Sequence, residues 1–302
     1  MKTTNQLERL PTRASLAVES MGYLVPRWHF DGVVHSVHAR ACNIAFGKSL
    51  LTLVAHGVGE GPTTLLLDRD CAIDLRTCFS VGDAVVRHGT LLRSCGADAE
   101  LGWATEWNPA ARPIFAEASQ VVANLRSARA RLGARPGCQA SIVHREGRAA
   151  CARLEQACRV CDFEMASAEV ARLIGWGEGL TPAGDDFLVG LMGGLDALAA
   201  TSAVRRIFLT RLSAAISARA GLTTPIAAHY LGLAARGHFI AQLHQLRDAL
   251  LSANEVTSLH GSVDKVLALG ATSGADLVAG LLSGVSASLD APLPPERVGR
   301  DD

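Results

Sequence analysis

The sequence lacks an excess of either charge, because 29 lysines and arginines balance 29 aspartates and glutamates. This balance provides no basic surface for nucleic acid and no polybasic patch for a membrane. The stretch MKTTNQLERLPTRASLAVES lacks the apolar run of a secretory signal. No apolar stretch reaches the roughly 20 residues that span a bilayer. These absences predict a cytoplasmic protein without nucleic-acid or membrane partners.

Cysteine is absent after residue 161, although eight cysteines occur up to that point. The pair Cys158-x-x-Cys161 has the spacing of zinc and redox motifs, but no second CxxC pair accompanies it. Cys151, Leu154, Cys158 and Cys161 also recur at helical spacing, and a free cysteine behaves as a small hydrophobic side chain. The pattern therefore favours a buried helical stripe of reduced thiols over a metal or redox site.

The first half of the chain contains short β-prone runs with turn signals between them. Glycine-rich turns such as 57–62 separate five runs: Gly32–Arg40, Leu50–His56, Thr63–Asp68, Ala84–Arg87 and Thr90–Arg93. This spacing predicts a small, curled antiparallel sheet or barrel. A helix over Glu117–Leu132 follows and ends at Gly133. We expect residues 1–150 to form this β-rich domain.

The hydrophobic pattern changes to helical spacing after Arg148 and keeps it. Start and stop signals predict helices over Ala149–Cys161, Ser167–Ile174, a segment after Gly184, Ser202–Ala220, a segment from Thr224 to Gly237, His238–Leu251, part of Asn254–Leu269 and a segment after Gly274. We therefore predict an all-helical domain over residues 151–302. The chain as a whole is then of the α+β class.

The helical half contains a glycine-rich loop that runs into a helix, Gly175–Leu195 (GWGEGLTPAGDDFLVGLMGGL). Glycines alternate at the start of the loop, Thr181-Pro182 stiffens it, and Gly184 allows a sharp turn before Asp185 and Asp186. Apolar residues then recur at helical spacing. The interpretation is a helix N-terminus that carries free N–H groups, a positive dipole end and two carboxylates.

A second copy of this motif lies further along the chain, at Gly270–Gly284 (GATSGADLVAGLLSG). The two copies match at Gly184/Gly274, Asp186/Asp276, Leu188/Val278, Gly190/Gly280 and Leu191/Leu281. Thr272 corresponds to Thr181 if one residue is skipped, and Ala275 stands in the place of Asp185. Two such loops, each opening a glycine-spaced helix, predict the two walls of one site.

Helix N-termini of this kind bind anions through N–H groups and hydroxyls. The predicted substrate-binding residues are therefore Thr181, Gly184, Thr272, Ser273, Gly274 and Asp276. The predicted catalytic residues are Asp185, Asp186 and His229. Because Asp186 has a counterpart in the second copy, we expect it to share a structural or binding role with Asp276. Asp185 has none and is expected to act on ligand or metal.

Carboxylates at a phosphate site require a cation, because they repel the anion. Arg40, Arg219 and Arg236 are candidates, and spacing does not select among them. Asp185 with Asp186 also suits Mg²⁺, which takes one or two carboxylates and further ligand oxygens. The alternative is helix capping, which stabilises a helix by about 0.5–2 kcal/mol without a ligand. Capping does not need alternating glycines or a second copy, so the combination favours a functional site.

Three segments resemble the AllH-like family: GWGEGLTPAGDDFLVGL, TTPIAAHYLGLAARG and GATSGADLVAGLL. The runs VVHSVHARACNIAF and GEGPTTLLL are similar to it as well, so the resemblance covers most of residues 20–290. It implies a β-domain followed by a helical domain and a subunit of oxamate carbamoyltransferase, which acts in purine degradation. It also implies partner subunits, one of them similar to succinyl-CoA synthetases, but it assigns no catalytic residue.

Two functions from different classes stay open at this point. One is an enzyme subunit that transfers a carbamoyl group between oxalurate or oxamate and phosphate, with a site completed by partner chains. The other is a stand-alone binding or regulatory module whose twin loops hold a small anion such as a carboxylate or phosphate. A purely structural assembly protein is a third alternative.

Overall fold

This computed structural model describes residues 13–109, 117–135, 141–142, 147–200, 202–252, 255–270 and 272–289. It divides into two compact units, Met1–Ala110 and Ala111–Asp302. The division lies earlier in the chain than the boundary that the sequence predicts at residue 150. The reason is that the helix predicted over Glu117–Leu132 packs into the helical core.

The described part of the first unit is a β-barrel. Its strands are β1 (Ala14–Gly22), β2 (Phe30–Val37), β3 (Ala41–Phe46), β4 (Ser49–Val54), β5 (Thr64–Leu67), β6 (Ala84–His88), β7 (Leu91–Ser94), β8 (Ala97–Glu100) and β9 (Thr105–Trp107). Eight of them follow the order β5-β4-β3-β2-β6-β7-β8-β1, and β1 also pairs with β5, which closes the barrel. β9 adds to the edge of β1. The predicted α+β class with a barrel-like first domain is therefore confirmed.

The barrel is mixed, whereas the turn signals predicted an antiparallel sheet. β1 pairs in parallel with β8 and β9, and β4 pairs in parallel with β5. These pairs cannot be hairpins, because a tight turn joins only antiparallel strands. Side chains alternate along the strands, so that Leu16 and Val18 of β1 point into the apolar interior. Turn signals in the sequence predict hairpins between consecutive strands. They do not predict the pairing of β1 with β5 that closes the barrel.

The second unit is helical in its described part. Its α-helices are α1 (Ala118–Gly133), α2 (Arg148–Arg159), α3 (Phe163–Leu173), α4 (Ala183–Ala199), α5 (Ala203–Arg219), α6 (Pro225–Ala234), α7 (Ala241–Leu251), α8 (Val256–Leu267) and α9 (Ser273–Leu289). The Thr224-Pro225 start is confirmed, because the Thr224 hydroxyl accepts the Ala227 N–H at the beginning of α6. None of the described helices is long and apolar enough to cross a membrane.

The predicted start of α3 at Ser167 is wrong. The helix begins at Phe163, where the Asp162 carboxylate accepts the Met165 N–H at 3.0 Å. Cys161 has a φ of 55°, in the left-handed region, and this turn separates α2 from α3. The apolar stripe that runs to Cys161 concealed the Asp162 cap in the sequence.

The cysteine stripe forms part of the helical core. Cys151, Leu154 and Cys158 are buried in the core cluster. Burial raises the pKa of the Cys151 thiol to about 12 and raises that of Cys158 as well. Both side chains are therefore protonated and act as small hydrophobic groups.

Helices α4 and α9 are in backbone contact through glycines. A Cβ atom at Gly190 would lie 2.1 Å from the carbonyl oxygen of Leu277, and one at Gly280 would lie 2.0 Å from that of Phe187. A turn later, Gly194 and Gly284 repeat the arrangement, with Cβ positions 2.4 Å and 2.3 Å from carbonyl oxygens of the other helix. The contacts advance in the same direction along both helices, so α4 and α9 are parallel. Such glycine pairs are the usual way to bring two helix backbones together.

We predict that Gly280→Ala destabilises the helical unit by about 1–3 kcal/mol or more, because the new methyl group overpacks a rigid backbone contact. The matched control is Gly261→Ala in α8, where a Cβ would meet nothing within 4 Å. That substitution should stabilise the helix by up to about 1 kcal/mol. Denaturant unfolding measures both changes, and equal effects of the two substitutions would contradict the close contact.

We also predict that a fragment Ala111–Asp302 is more stable than a fragment of residues 149–302. The shorter fragment lacks α1, which buries Val121, Leu125 and Leu132 in the helical core. Each large apolar side chain contributes about 1.5–3 kcal/mol when fully buried. Thermal unfolding followed by far-UV circular dichroism should give a clearly lower Tm for the shorter fragment. Equal melting temperatures would show that α1 is dispensable.

Candidate functional site

The parallel packing of α4 and α9 places the two glycine-rich loops beside each other. The hydroxyl oxygens of Thr181 and Ser273 are 2.9 Å apart. Asp186 in the first turn of α4 and Asp276 in the first turn of α9 lie close enough for the charge of Asp276 to act on Asp186. We call this cluster, made of Thr181, Asp186, Ser273 and Asp276, the loop junction.

The matched glycines Gly184 and Gly274 let each helix start pack closely against the preceding helix. A Cβ at Gly184 would lie 2.0 Å from the carbonyl oxygen of Leu173, and one at Gly274 would lie 2.2 Å from that of Val266. Any larger residue would push the helix start outward. Gly184 and Gly274 are therefore required by packing.

Backbone N–H groups at the two helix starts have acceptors within the protein. Gly184 donates to the Trp176 carbonyl, and both Asp185 and Asp186 donate to that of Pro182. The second loop repeats this pattern: Gly274 donates to the carbonyl of Leu269, and Ala275 and Asp276 donate to that of Thr272. The expected donation of these N–H groups to a bound anion would require these bonds to break. The hydroxyls and carboxylates remain as the groups that can meet a ligand.

Asp186 is buried and has one carboxylate oxygen to spare. The hydroxyls of Ser273 and Thr181 donate to its carboxylate, whereas Oδ2 has no hydrogen-bond partner among the described residues. Burial, together with the nearby charges of Asp276 and Asp185, raises the pKa of Asp186 to about 7. The two hydroxyls lower the pKa without cancelling this shift. Asp186 therefore exchanges a proton near neutral pH.

Asp276 is fully buried and shares this character. Its Oδ1 accepts the Ser141 hydroxyl and the Ile142 N–H, each at 2.7 Å. Its Oδ2 has no partner within the described part of the chain. Burial raises the pKa of Asp276 to about 6. The two matched aspartates thus each keep one unpaired oxygen in the interior, and an unpaired buried polar group costs free energy.

Asp185 ties the first loop to the segment that precedes α6. Its Oδ1 accepts the Gly175 N–H at 3.0 Å, and its Oδ2 accepts the Thr223 hydroxyl at 2.5 Å. The neighbouring Thr224 hydroxyl donates to the Leu180 carbonyl in the same loop. Contacts of this kind hold a loop in place, whereas the sequence led us to expect that Asp185 acts on ligand or metal.

Two further predicted residues are Thr272 and His229. Thr272 precedes α9 and accepts the N–H groups of its first turn through its carbonyl. His229 is in α6, with its ring 5.6 Å from that of Tyr230. Burial and the charge of Arg236 lower the pKa of His229 to about 4, so the imidazole is neutral at physiological pH.

The three candidate arginines are described by their contacts or cavities with other residues. Arg40 lies in the barrel unit and donates to the His56 carbonyl, and Arg219 donates to the Ala215 carbonyl. Arg236 lines a separate cavity of about 250 Å³ together with Asp196. Within the described ranges, no three His, Cys, Asp or Glu side chains come together as a metal-holding group.

Ser141, Ile142 and Thr223 belong to the site region, although the sequence did not predict them. Ser141 and Ile142 have no motif that would relate them to Asp276. Thr223 is adjacent to the Thr224-Pro225 helix start. This pair of threonines is the sequence feature that could have indicated Thr223 as a site residue. Long-range hydrogen bonds of this kind leave no local pattern in a single sequence.

The chain matches two models of one protein family. The model described as oxamate carbamoyltransferase subunit AllH matches residues 173–285, which contain α4, α6, most of α9 and the loop junction. The model described as the AllH family N-terminal domain matches residues 14–106, which form the barrel. No match was found among curated proteins or among solved structures.

We predict that Asp186→Asn changes the pH dependence of stability. The folded pKa of about 7 exceeds the ordinary value of 3.8, so the folded protein binds this proton more tightly than the unfolded chain. The resulting stability is complete below about pH 4 and is lost as the pH rises to about 7. Over this window the wild type should lose stability relative to Asp186→Asn, by about 1.4 kcal/mol for each unit of pKa shift.

Thermal unfolding from pH 4 to pH 8 measures this effect. Relative to Asp276→Asn, the wild type should also lose stability as the pH rises. This loss should end near pH 6, because burial raises the pKa of Asp276 to about 6. Glu164→Gln, at an exposed position, is the control for the loss of one carboxylate. Parallel curves for the wild type and Asp186→Asn would contradict the raised pKa.

Proposed function

The chain belongs to the AllH family, and on this premise we propose that it is a subunit of an oxamate carbamoyltransferase or of a related carbamoyltransferase. The proposed reaction transfers a carbamoyl group between oxalurate or oxamate and phosphate, in the cytoplasm and as a step of purine degradation. The observation that carries the assignment to a site is the loop junction. There, two hydroxyls and two carboxylates from the repeated loops form one cluster within the family match.

The reaction needs little covalent chemistry from the protein. A phosphate oxygen attacks the terminal carbonyl carbon of oxalurate, and the bond from this carbon to the internal nitrogen breaks. The products are carbamoyl phosphate and oxamate, and the oxamate nitrogen gains the proton that the phosphate loses. The protein has to hold both reactants, stabilise the oxyanion and assist this proton transfer.

In this proposal Asp186 moves the proton. Its pKa of about 7 leaves both protonation states populated at neutral pH, which is the condition for an efficient general acid or base. Its unpartnered Oδ2 is the atom that would face the leaving nitrogen. Once the loops move apart, the hydroxyls of Thr181 and Ser273 would turn from the Asp186 carboxylate to the substrate carbonyl or carboxylate oxygens. Gly184 and Gly274 let the loops approach closely enough.

The other predicted residues support this arrangement. Asp276 holds the second half of the junction, and Asp185 fixes the shape of the first loop through Gly175 and Thr223. In this proposal His229 acts through hydrogen bonds of its neutral imidazole, because burial and the charge of Arg236 lower its pKa to about 4. The unpartnered oxygen of Asp276 is the atom that would contact Mg²⁺ entering with phosphate.

The proposed activity depends on partner subunits. In this chain Asp186 is 8% exposed and Asp276 is 0% exposed, so substrate reaches the carboxylates only if the loops move apart. We propose that other subunits, one of them synthetase-like, bind over the loops and complete the site. The family description as a subunit is consistent with this requirement.

A second candidate function is a stand-alone module that binds a small carboxylate or phosphate. The observation in its favour is the parallel arrangement of α4 and α9, which sums the positive ends of two helix dipoles at one place. Such a module would bind its anion without partner chains. The two candidates therefore differ in the conditions under which binding appears.

We predict that Thr181→Val and Ser273→Ala each weaken oxamate binding and oxalurate turnover by about 1–3 kcal/mol in the assembled complex. The double substitution should depart from the sum of the single effects, because the two hydroxyls are 2.9 Å apart. Asp186→Asn should reduce turnover more than binding. Thr257→Val, on the exposed first turn of α8, is the matched control and should change neither.

The measurements are calorimetric titration of oxamate, with and without Mg²⁺, and formation of carbamoyl phosphate from oxalurate and phosphate. Strictly additive effects would separate the two loops into unrelated helix caps. A complex that neither binds oxamate nor converts oxalurate would refute the proposed function. Anion binding by the isolated chain, with no turnover after assembly, would favour the binding module.

A further inference from the structure

The helical unit contains a cavity on the face of α9 that is turned away from α4. Its volume is about 420 Å³, within the usual range for small-molecule sites. The residues of α9 that line it are Ala279, Leu282 and Ser283, whereas Gly280 and Gly284 contact α4. At 3.6 residues per turn these two sets lie on different faces of the helix. The cavity is therefore distinct from the loop junction.

The floor of the cavity is apolar. Leu132 at the end of α1, Cys151 in α2 and Leu282 in α9 are all buried. The small side chains of Ala152 and Ala279 leave the space open. The Cys151 thiol contributes only its apolar surface, because burial raises its pKa to about 12. This wall suits a hydrocarbon group better than a strongly hydrated one.

The rim of the cavity carries an excess of positive charge. Arg148 at the start of α2 makes no ion pair with any described residue, and it lines the cavity. Arg129 in α1 also lines it, and its Nη2 is as far as 3.9 Å from Glu155 Oε1. That same Glu155 oxygen already accepts from Arg159 at 3.1 Å and from the Ser286 hydroxyl at 3.0 Å. Two guanidinium groups therefore line the cavity, and Glu155, the carboxylate among its lining residues, is already engaged.

Ser283 adds a hydrogen-bonding group to the same cavity. The residue is 9% exposed and lines the cavity. Its hydroxyl is a donor and an acceptor that a ligand oxygen in the cavity could meet. Apolar walls with a few converging polar groups are typical of small-molecule sites.

We propose that this cavity binds a small organic anion, with its carboxylate or phosphate group at Arg129 and Arg148 and a short hydrocarbon body on the apolar floor. Guanidinium groups recognise both kinds of anion through paired N–H donors. Oxamate and carbamoyl phosphate have no hydrocarbon body, so the proposed ligand differs from the substrates proposed for the loop junction. The site thus goes beyond the proposed carbamoyl transfer and does not depend on it.

Calorimetric titration of the full chain tests this site, with hexanoate, hexyl phosphate and inorganic phosphate as probes. Hexanoate or hexyl phosphate should bind at least about tenfold more tightly than inorganic phosphate, because only they use the floor. Arg148→Ala and Arg129→Ala should each weaken binding about tenfold, the loss expected for one charge-assisted hydrogen bond. The preferred head group is that of the probe, hexanoate or hexyl phosphate, that binds more tightly.

Ala152→Phe narrows the cavity from its exposed side and should abolish binding of both hexyl probes. Arg126→Ala is the matched control, because Arg126 is exposed on α1 one turn before Arg129 and does not line the cavity. Its binding should equal that of the wild type. If Ala152→Phe does not fold, the surface variant Arg148→Ala decides the matter.

The proposal is overturned if neither hexyl probe binds, or if binding is unchanged in Arg148→Ala. It is also overturned if inorganic phosphate binds as tightly as hexyl phosphate, since the apolar floor would then have no role. The titration needs neither partner subunits nor turnover. Its outcome is therefore independent of the test of carbamoyl transfer.

Discussion

The backbone contact between α4 and α9 is the constraint on which the site depends. Carbonyl oxygens of Phe187 and Leu277 occupy the space where side chains at Gly280 and Gly190 would stand. Such a contact permits one axial register, because a slip would bring a larger side chain against the opposite backbone. That register places the hydroxyls of Thr181 and Ser273 next to each other. The geometry of the loops is thus determined by residues deep in the helix pair.

The two buried aspartates are costly features in an otherwise apolar helix pair. A buried carboxylate with an unpaired oxygen destabilises a fold unless it takes up a proton. Asparagine at either position would remove the buried charge. Violations of the general rules of stability concentrate at functional sites, and two of them, at matched positions and within one family match, support a functional interpretation of the junction.

Much of this arrangement could be predicted from the sequence, because it depends on local and repeated patterns. The spacing of Gly190, Gly194, Gly280 and Gly284 indicates close helix packing, and the second copy of the loop indicated that the two helix starts meet. The role of Asp185 could not be predicted, because it depends on where Thr223 lies after the chain has passed through α5. The Ser141 contact with Asp276 and the closure of the barrel by β1 likewise join segments that are distant in sequence.

The exchange of contacts within the helix pair has the form of a symmetric dimer interface. Gly190 meets Leu277 and Gly280 meets Phe187, so each half presents to the other the surface that it receives. Two identical copies of one loop and helix would form the same contact about a two-fold axis that runs along the helices. Joined in one chain, the halves are free to diverge: one carries Asp185 where the other has Ala275. The fold thus combines a self-complementary helix interface with two loops that differ from each other in sequence.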